Sequence, residues 1–291
     1  MKILLFGRDG QLGTHLNESL ADIAGVEQLS GYGIDDLDLS HLERLWQVIN
    51  DEKPNLIINA AAYTAVDRAE SEVELAAKVN AEAPSVMAKA ATALNAGMIH
   101  YSTDYVFDGT ATEPYSEDDQ PNPESVYGST KLDGENAVLT HCKNSLILRT
   151  SWVYSMHGQN FLRTMLRLAA ERDELKVVGD QIGAPTTTRA LTDATLKLVQ
   201  YFMLNDGFSE TISGVYHITC GGETSWCGFA RAIVAASKFS NTHVLDIPTA
   251  DYPTPAKRPA YTVLSNKKLF DTFGIRLPDW EAALSECMQE E

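Results

Sequence analysis

Short apolar runs alternate with stretches of helical periodicity along the first half of the chain. The apolar runs predict strands at 3–6, 26–29, 55–58, 98–101 and 146–148. Between them, the spacing of apolar residues predicts helices over about 11–21, 42–50 and 73–95, followed by a helix that carries Tyr127 and Lys131. Alternating strands and helices form right-handed β-α-β crossovers, and strands that are apolar throughout are covered on both faces. We therefore expect a parallel sheet between two layers of helices.

The alternation becomes less regular after Thr150. Here the pattern predicts helices at 161–171, 191–204 and 226–238, strands at 175–178 and 215–218, and a proline-rich segment at 248–259. We predict an α/β protein with a doubly wound, parallel Rossmann-type sheet and a smaller, interleaved C-terminal lobe. In this division residues 1–150 form the sheet domain, and residues 151–291 form mainly the lobe.

Composition and charge narrow the functional classes. The chain has 291 residues and a formal charge of −17, so we expect no binding to nucleic acid or to an anionic membrane, whose phosphates would repel it. Met1-Lys2 leads directly into an apolar strand without the pattern of a signal peptide, and no apolar run has the length of a membrane span. The four cysteines lack Cys-x-x-Cys spacing, and the seven histidines lack metal-ligand spacing. These features predict a cytoplasmic protein without an obligatory metal.

Three glycines follow the first predicted strand, at Gly7, Gly10 and Gly13. Glycines at this position permit a tight strand-to-helix turn and let a pyrophosphate approach the free amides at the N-terminus of the helix. The acidic residue expected at the end of the second strand to bind a ribose is not obvious, so the choice between NADH and NADPH stays open. Arg8 is a candidate contact for a 2′-phosphate. This motif assigns residues 1–150 to dinucleotide binding and the lobe to a substrate.

Tyr127 and Lys131 lie four residues apart in the run Val126-Tyr127-Gly128-Ser129-Thr130-Lys131. On a helix they share one face, where an ammonium can lower the pKa of a phenol toward the working pH. A phenol of this kind is the acid that carbonyl reduction requires. Upstream, the segment from Tyr101 to Gly109 places hydroxyl groups at the carboxyl edge of the predicted sheet, where ligands bind in open α/β folds.

These motifs, in this order, resemble the extended short-chain dehydrogenase/reductase superfamily, and within it the reductases of dTDP-4-keto sugars. The resemblance covers nearly the whole chain. Its most diagnostic runs are Gly10-Gln11-Leu12-Gly13, NAAAYTAVDRAE from Asn59, STDYVFDG from Ser102, YGSTKLDGE from Tyr127, LRTSWVY from Leu148, DQIGAP from Asp180, and Arg258-Pro259.

The resemblance implies NADH- or NADPH-dependent reduction of the C4 ketone of dTDP-4-dehydro-β-L-rhamnose to dTDP-β-L-rhamnose, for surface polysaccharide synthesis. It makes Tyr127 the proton donor, Lys131 the group that lowers its pKa and holds the nicotinamide ribose, and Thr103 a further bond to the reacting oxygen. It assigns Gly10, Gln11 and Leu12 to the pyrophosphate, Asp38 and Leu39 to the adenine region, and Ala62, Tyr63 and Thr64 to the middle of the cofactor. Thr103, Asp104, Tyr127 and Trp152 would contact the deoxysugar, and Arg258 would contact the diphosphate.

Two departures from the family pattern affect these expectations. Some relatives form dimers bridged by magnesium through glutamates, but His15 and Arg189 occupy two of those positions here. We therefore expect a monomer or a metal-independent homodimer. Related dehydratases carry Thr-Asp-Glu, whereas Tyr105 follows Asp104 here, and the missing carboxylate favours simple reduction.

Two alternatives stay open at this point. The first is a reductase of another dTDP-4-ketohexose, with different stereochemistry at C4. The second is a non-catalytic regulatory subunit resembling the β subunit of methionine adenosyltransferase. The presence of Thr103, Tyr127 and Lys131 argues against the second, because a protein that only binds a partner has no need of all three.

Overall fold

Buried apolar side chains form the strands at the centre of this protein. In the first strand, Ile3, Leu4, Leu5 and Phe6 are each at most 1% exposed. The computed structural model describes residues 1–289. Within that range the strands are β1 (Lys2–Phe6), β2 (Gln28–Tyr32), β3 (Leu56–Asn59), β4 (Gly97–Thr103), β5 (Ser145–Thr150), β6 (Val153–Tyr154), β7 (Glu174–Val178), β8 (Ile182–Gly183), β9 (Thr186–Thr187), β10 (Gly214–His217), β11 (Thr224–Ser225) and β12 (His243–Ile247).

Six of these strands form one parallel sheet in the order β10-β5-β4-β3-β1-β2. The chain moves outward in one direction from β1 to β2 and in the other direction from β3 to β5. The order therefore reverses between β1 and β3, which is the position where open α/β sheets bind ligands. This topology confirms the predicted doubly wound parallel sheet.

Helices cover both faces of the sheet. They are α1 (Gln11–Leu20), α2 (Leu42–Glu52), α3 (Val66–Ala69), α4 (Val73–Ala77), α5 (Ala83–Ala93), α6 (Val126–His141), α7 (Phe161–Glu171), α8 (Thr188–Asn205), α9 (Trp226–Ala236), α10 (Lys267–Phe273) and α11 (Trp280–Cys287). Successive residues of β1 point to opposite faces: Ile3 and Leu5 join one apolar cluster with residues of α1 and α8, and Leu4 and Phe6 join another with residues of α2 and α5. This two-sided burial explains why the strands are apolar throughout.

Three short segments depart from regular α-helix. Asp104–Val106 and Thr249–Asp251 form 3₁₀ turns, and Lys78–Glu82 forms a π-helical segment between α4 and α5. The pattern of apolar residues predicts one uninterrupted helix over 73–95, so the π-helical segment is a difference from the prediction. Such segments are frequent at functional sites because they redirect side chains within a helix.

The second half of the chain contributes both to the main sheet and to smaller sheets. β10 pairs with β5 and forms the edge of the main sheet, while β7 pairs with β12, β8 with β11, and β6 with β9. The division of the chain at residue 150 stays a prediction. No helix among the described residues is long and apolar enough to cross a membrane.

The two positions that depart from the magnesium-bridged pattern belong to neighbouring helices. His15 lies on α1, and its Nδ1 is 3.0 Å from the hydroxyl of Thr188 at the start of α8. Arg189 follows Thr188 directly. Residues 1–289 contain no group of three or more His, Cys, Asp or Glu arranged to hold a metal ion.

Candidate active site

The predicted motifs meet at the carboxyl edge of the parallel sheet. β1 ends at Phe6, β3 at Asn59 and β4 at Thr103, which pairs in register with Thr150 at the end of β5. Parallel strands end at the same edge, so the segments that follow them line one cleft. The glycine loop, residues 60–64 and the Thr103 segment are consequently neighbours, although they lie far apart along the chain.

The glycine loop is shaped for close approach of a phosphate. Gly7 has φ +84°, and a side-chain Cβ there would lie 2.7 Å from the amide nitrogen of Ala61. A Cβ on Gly13 would lie 1.8 Å from the carbonyl oxygen of Gly7, so α1 can start this close to the loop only with glycine. Gly10 stands directly before α1, where the amides at the helix N-terminus are available to an anion. Leu12 has its side chain in the core, so only its main chain can serve the cofactor.

A second loop lies against the glycine loop. The side-chain oxygen of Gln11 accepts hydrogen bonds from Asn160 at 2.7 Å and from Ser155 at 3.3 Å. Asn160 also caps α7 by accepting a hydrogen bond from the Arg163 amide at 3.0 Å. Gln11 was a predicted pyrophosphate contact, whereas Ser155 and Asn160 were missed because their partner is more than a hundred residues away.

Arg8 lies in the glycine loop after β1, and its guanidinium reaches the end of β2. Its guanidinium donates to the carbonyl of Gly31 at 2.8 Å and pairs with Asp36 at 2.9 Å. The guanidinium also pairs with Asp9 at 3.0 Å, so two carboxylates already compensate its charge, and its predicted contact with a 2′-phosphate stays a prediction. Of the two predicted adenine contacts, Leu39 is buried, and Asp38 accepts a hydrogen bond from the Ser40 amide at 2.8 Å, which lowers the pKa of the Asp38 carboxyl.

Residues Ala62, Tyr63 and Thr64 follow β3, and Asn80 holds the main chain of Tyr63 among them. The Asn80 side chain accepts a hydrogen bond from the Tyr63 amide at 2.8 Å, and it donates to the Tyr63 carbonyl and the Thr130 hydroxyl, each at 3.2 Å. Asn80 belongs to the π-helical segment Lys78–Glu82 and is buried. It thus joins the predicted middle of the cofactor site to α6, a role that the sequence prediction missed.

Thr103 and Asp104 form the turn at the end of β4. The Thr103 hydroxyl donates to the Asp104 carboxylate at 3.0 Å and accepts a hydrogen bond from the Tyr105 amide at 3.2 Å. Burial raises the pKa of Asp104 to about 6. Hydrogen bonding from the Thr262 side chain acts against this rise, and the second carboxylate oxygen, Oδ2, is buried without a partner in normal hydrogen-bond geometry among the described residues. A buried oxygen of this kind can accept a hydrogen bond from a ligand hydroxyl.

Tyr127 is the second residue of α6, and the start of this helix packs tightly against the turn that follows Thr103. Ser125 caps the helix by accepting a hydrogen bond from the Gly128 amide at 3.1 Å. A Cβ on Gly128 would lie 2.2 Å from the carbonyl oxygen of Tyr105. The absence of a side chain at Gly128 therefore allows Tyr127 to reach the neighbourhood of Thr103.

The pKa of Tyr127 differs from the expectation. Burial raises this pKa above its ordinary value, although hydrogen bonding to Thr103 acts in the opposite direction. Removal of the phenol from water outweighs the other effects on this pKa, and the prediction that Lys131 lowers it stays a prediction. Tyr127 is neutral at physiological pH, which is the protonation state that a proton donor needs.

Lys131 lies one turn further along α6 and is buried. Its ammonium donates to the carbonyl oxygen of Tyr101 at 2.6 Å. Burial lowers the pKa of Lys131 to about 8, and the negative charge of Glu135 partly offsets this effect. The ammonium thus stands beside β4, close to the segment that carries Thr103.

Glu135 continues the same face of α6, four residues after Lys131. Its carboxylate accepts hydrogen bonds from Ser102 at 2.5 Å and from Arg149 at 2.6 Å. The Arg149 and Glu135 side chains are 4% and 1% exposed. This buried ion pair ties α6 to β4 and β5. Its signal in the sequence is a charged residue that repeats the four-residue spacing of Tyr127 and Lys131.

Trp152 follows β5 with an unusual backbone conformation. Its φ is +47°, and its indole lies parallel to that of Trp226, with ring centroids 3.5 Å apart. Non-glycine residues at positive φ are uncommon and cluster at functional sites. The position beyond Thr150 places Trp152 at the same sheet edge as Thr103.

Arg258 is held at the cleft by an acidic residue from the other half of the chain. Its guanidinium donates to the Asp67 carboxylate at 2.7 Å, and the second Asp67 oxygen accepts a hydrogen bond from the Ala256 amide at 3.2 Å. Arg258 also lies 5.9 Å from the centre of the Tyr105 ring, which packs edge-on against Tyr127. Asp67 was missed by the sequence prediction.

Taken together, these side chains can bind and protonate a carbonyl compound. The neutral phenol of Tyr127 and the hydroxyl of Thr103 lie together at one edge of the sheet. The buried Lys131 ammonium is on the same helix as Tyr127, and the glycine loop after β1 leaves room for a phosphate at the same edge. The glycine geometry fits a dinucleotide, because side chains at Gly7 or Gly13 would collide with the main chain.

Comparisons with known proteins agree with this chemistry. A family model described as "RmlD substrate binding domain" matches residues 1–291. A curated dTDP-4-dehydrorhamnose reductase from Burkholderia thailandensis is 47% identical, and the match covers 100% of this chain and 99% of that protein. A protein of the same name from Escherichia coli K12 is 40% identical, with 100% of this chain and 98% of the relative covered.

Solved structures give the same result. The crystal structure of a dTDP-4-dehydrorhamnose reductase from Clostridium acetobutylicum superposes with a TM-score of 0.92 and 40% identity, covering 100% of this chain and 99% of that chain. A dTDP-4-dehydrorhamnose reductase from Bacillus anthracis, solved in complex with NADP, superposes with a TM-score of 0.89 and 34% identity over 100% of this chain and 99% of that chain.

Proposed function

This chain belongs to the RmlD substrate-binding domain family, and on that premise we propose that it catalyses NAD(P)H-dependent reduction of dTDP-4-dehydro-β-L-rhamnose to dTDP-β-L-rhamnose. It is an oxidoreductase of rhamnose biosynthesis, as its curated relatives are by name. The observation that carries the proposal is the meeting of Thr103, Tyr127 and Lys131 beside the glycine loop. The side chains of Thr103 and Tyr127 are close enough for a hydrogen bond from Thr103 to lower the Tyr127 pKa, against the larger effect of burial.

The cofactor would lie across the carboxyl edge of the sheet. Gly7, Gly10, Gln11, Leu12 and Gly13 would hold its pyrophosphate through main-chain amides at the start of α1. Asp38 and Leu39 would flank the adenine region, and Ala62, Tyr63 and Thr64 would line the middle. When bound, NADPH or NADH would supply the hydride that C4 of the sugar accepts. The NADP bound by the Bacillus anthracis relative favours NADPH.

Tyr127 would donate its phenolic proton to the C4 oxygen of the sugar. The phenol is protonated at neutral pH and can therefore act as the donor, and Thr103 would bond the same oxygen. The Lys131 ammonium, on the same helix, would stabilise the negative charge left on the Tyr127 oxygen and would hold the nicotinamide ribose. Asp104, through its buried unpartnered oxygen, and Trp152 would contact the deoxysugar, and Arg258 would contact the diphosphate.

The cellular setting follows from the substrate. A dTDP-sugar is a small soluble nucleotide, so we infer that the protein works in the cytoplasm. Because His15 and Arg189 replace two of the magnesium-binding glutamates, we infer a monomer or a homodimer that needs no metal. The formal charge of −17 supports the absence of nucleic-acid and membrane partners.

The test is an oxidation assay with purified protein. Enzymatically prepared dTDP-4-dehydro-β-L-rhamnose is added with NADPH or with NADH, and the loss of reduced nicotinamide absorbance is followed. We expect oxidation only when the ketosugar is present, and a product whose NMR spectrum is that of dTDP-β-L-rhamnose. A different configuration at C4 would identify a reductase of another dTDP-4-ketohexose. Binding of NADPH without its oxidation would contradict the proposal.

A further inference from the structure

The indole of Trp152 is held in place from two directions. Trp226 stacks on it, with an angle of 5° between the ring planes and 3.5 Å between the centroids. Gly183 also packs against this indole so closely that a Cβ there would lie 2.5 Å from Trp152 Cε2. With its φ at +47°, Trp152 is backbone-strained as well. Strained conformations persist only where the surroundings determine them fully.

The lobe supplies the residues that hold Trp152. β11 pairs antiparallel with β8, and the register Thr224↔Gly183 and Ser225↔Ile182 places Trp226, the next residue, beside the Trp152 indole. Ser225 caps α9 by accepting a hydrogen bond from the Gly228 amide at 3.0 Å. Phe161 of α7 contacts the Trp226 ring, with centroids 4.6 Å apart. The orientation of Trp226 is therefore fixed by strand pairing, by a helix cap and by an aromatic neighbour.

This aromatic pair lies next to the polar groups of the active site. Trp152 follows two residues after Thr150, which pairs in register with Thr103. Both indoles stay partly exposed. The exposed parts of the two indoles thus form an apolar surface at one side of the site. The other groups named for the site are polar: the Thr103 and Tyr127 hydroxyls and the Asp104 carboxylate. Apolar walls with a few polar groups are the common composition of sites that bind small molecules.

We propose that Trp226 is a positioning residue for the sugar substrate: it stacks on Trp152 and fixes that indole as the wall against which the apolar side of a 6-deoxyhexose packs. This inference rests on the function proposed above. A 6-deoxyhexose carries a methyl group on C5 and C–H bonds on its ring faces, and both pack well against an indole. A fixed wall aligns C4 with the Tyr127 phenol, whereas a mobile indole would lose that alignment.

Steady-state kinetics with Trp226→Ala and Trp226→Phe test the proposal. For Trp226→Ala we expect KM for the ketosugar to rise roughly tenfold, the size of one aromatic contact, with KM for NADPH unchanged. Trp226→Phe should recover most of the loss, because a phenyl ring still stacks on Trp152. Trp46→Ala is the matched control, since Trp46 is an exposed tryptophan on α2 and should leave both KM values unchanged.

Far-ultraviolet circular dichroism reports the stack itself, through the exciton coupling of two indoles. Two parallel indoles couple, so the signal should disappear in Trp226→Ala and in Trp152→Ala, and it should change when dTDP-rhamnose binds the wild-type protein. A wild-type KM for the ketosugar in a Trp226→Ala protein that has lost the coupled signal would overturn the proposal. An equal rise in KM for NADPH would also overturn it, because it would indicate a general loss of structure. Failure of the wild-type protein to reduce the ketosugar would instead contradict the proposed function.

Discussion

At the scale of single residues, the site depends on which protonation states burial favours. Tyr127 and Lys131 lie on one helix face, as their spacing predicts, but burial moves their pKa values in opposite directions, up for the phenol and down for the ammonium. The spacing of two residues is visible in a sequence, whereas the depth at which they are buried depends on packing. Positions were therefore predictable here, and protonation was not.

Tyr127→Phe removes the proposed proton donor and little else. Because a positioned acid contributes about 10²- to 10⁴-fold to rate, we expect kcat to fall within that range while the Kd for NADPH stays near the wild-type value. Tyr201→Phe, on the far side of the fold against Phe273, is the control. Wild-type kcat in Tyr127→Phe would show that another group donates the proton.

The pKa of Lys131 predicts an upper limit to the pH range of activity. As pH rises through about 8, the Lys131 ammonium loses its proton, so kcat/KM for the ketosugar should fall. Stability should change the other way. The unfolded chain holds this proton up to its ordinary pKa of 10.5, so the contribution of Lys131 to the free energy of unfolding rises between about pH 8 and 10.5. A pH–rate profile and thermal melts on the same samples test both trends; activity rising through pH 8 would contradict the assignment.

At the scale of elements, α6 is the part of the fold that assembles the site. Its start is capped by Ser125, its second residue is Tyr127, and its middle is tied to β4 and β5 by Glu135. Glu70, beyond the end of α3, accepts a hydrogen bond from the Val126 amide at 2.9 Å and holds the helix start from another side. The alternation of strands and helices predicted α6 and the strands under it. It missed α3 and β12, because α3 has only four residues and β12 lies half-exposed with its partner far away in sequence.

Glu135→Gln tests the anchoring of α6. This substitution leaves Arg149 with a buried charge that is no longer compensated, which costs about 3–5 kcal/mol in buried pairs. We expect a loss of this order in the free energy of unfolding, measured by urea denaturation. The control is Glu171→Gln, which removes the exposed pair with Arg167 and should cost at most about 1 kcal/mol. If the free energy of unfolding fell by the same amount in the two variants, the buried pair would stabilise the fold no more than the exposed pair does.

At the scale of the whole molecule, contacts between distant parts of the chain complete the cleft. Asp67 and Arg258 lie 191 residues apart in sequence, and the lobe supplies Trp226 beside Trp152. The parallel sheet was predictable because a local run of apolar residues indicates each of its strands. Partners such as Asp67 and Trp226 were not, because a carboxylate in a loop or a tryptophan at a helix start looks the same in a sequence whatever it contacts.

Asp67→Asn tests whether that long-range pair serves the nucleotide. Without the carboxylate, the Arg258 guanidinium loses its partner at 2.7 Å and is no longer held in one orientation. We expect dTDP to bind about tenfold more weakly, equivalent to about 1.4 kcal/mol, while NADPH binding is unchanged. Calorimetric titration measures both ligands. Asp271→Asn, which removes an exposed pair with Lys267, is the control, and equal dTDP affinity in both variants would exclude a role for Asp67.

The edge strand β10 has a consequence for how this polypeptide leaves the ribosome. The other five strands of the main sheet are complete once residue 150 has been made, but β10 begins only at Gly214. Until then, the backbone of β5 is an open edge that can pair with another nascent chain. β5 therefore gains its neighbour only after much of the lobe has been synthesised, and during that interval its free edge is a site for pairing with another chain.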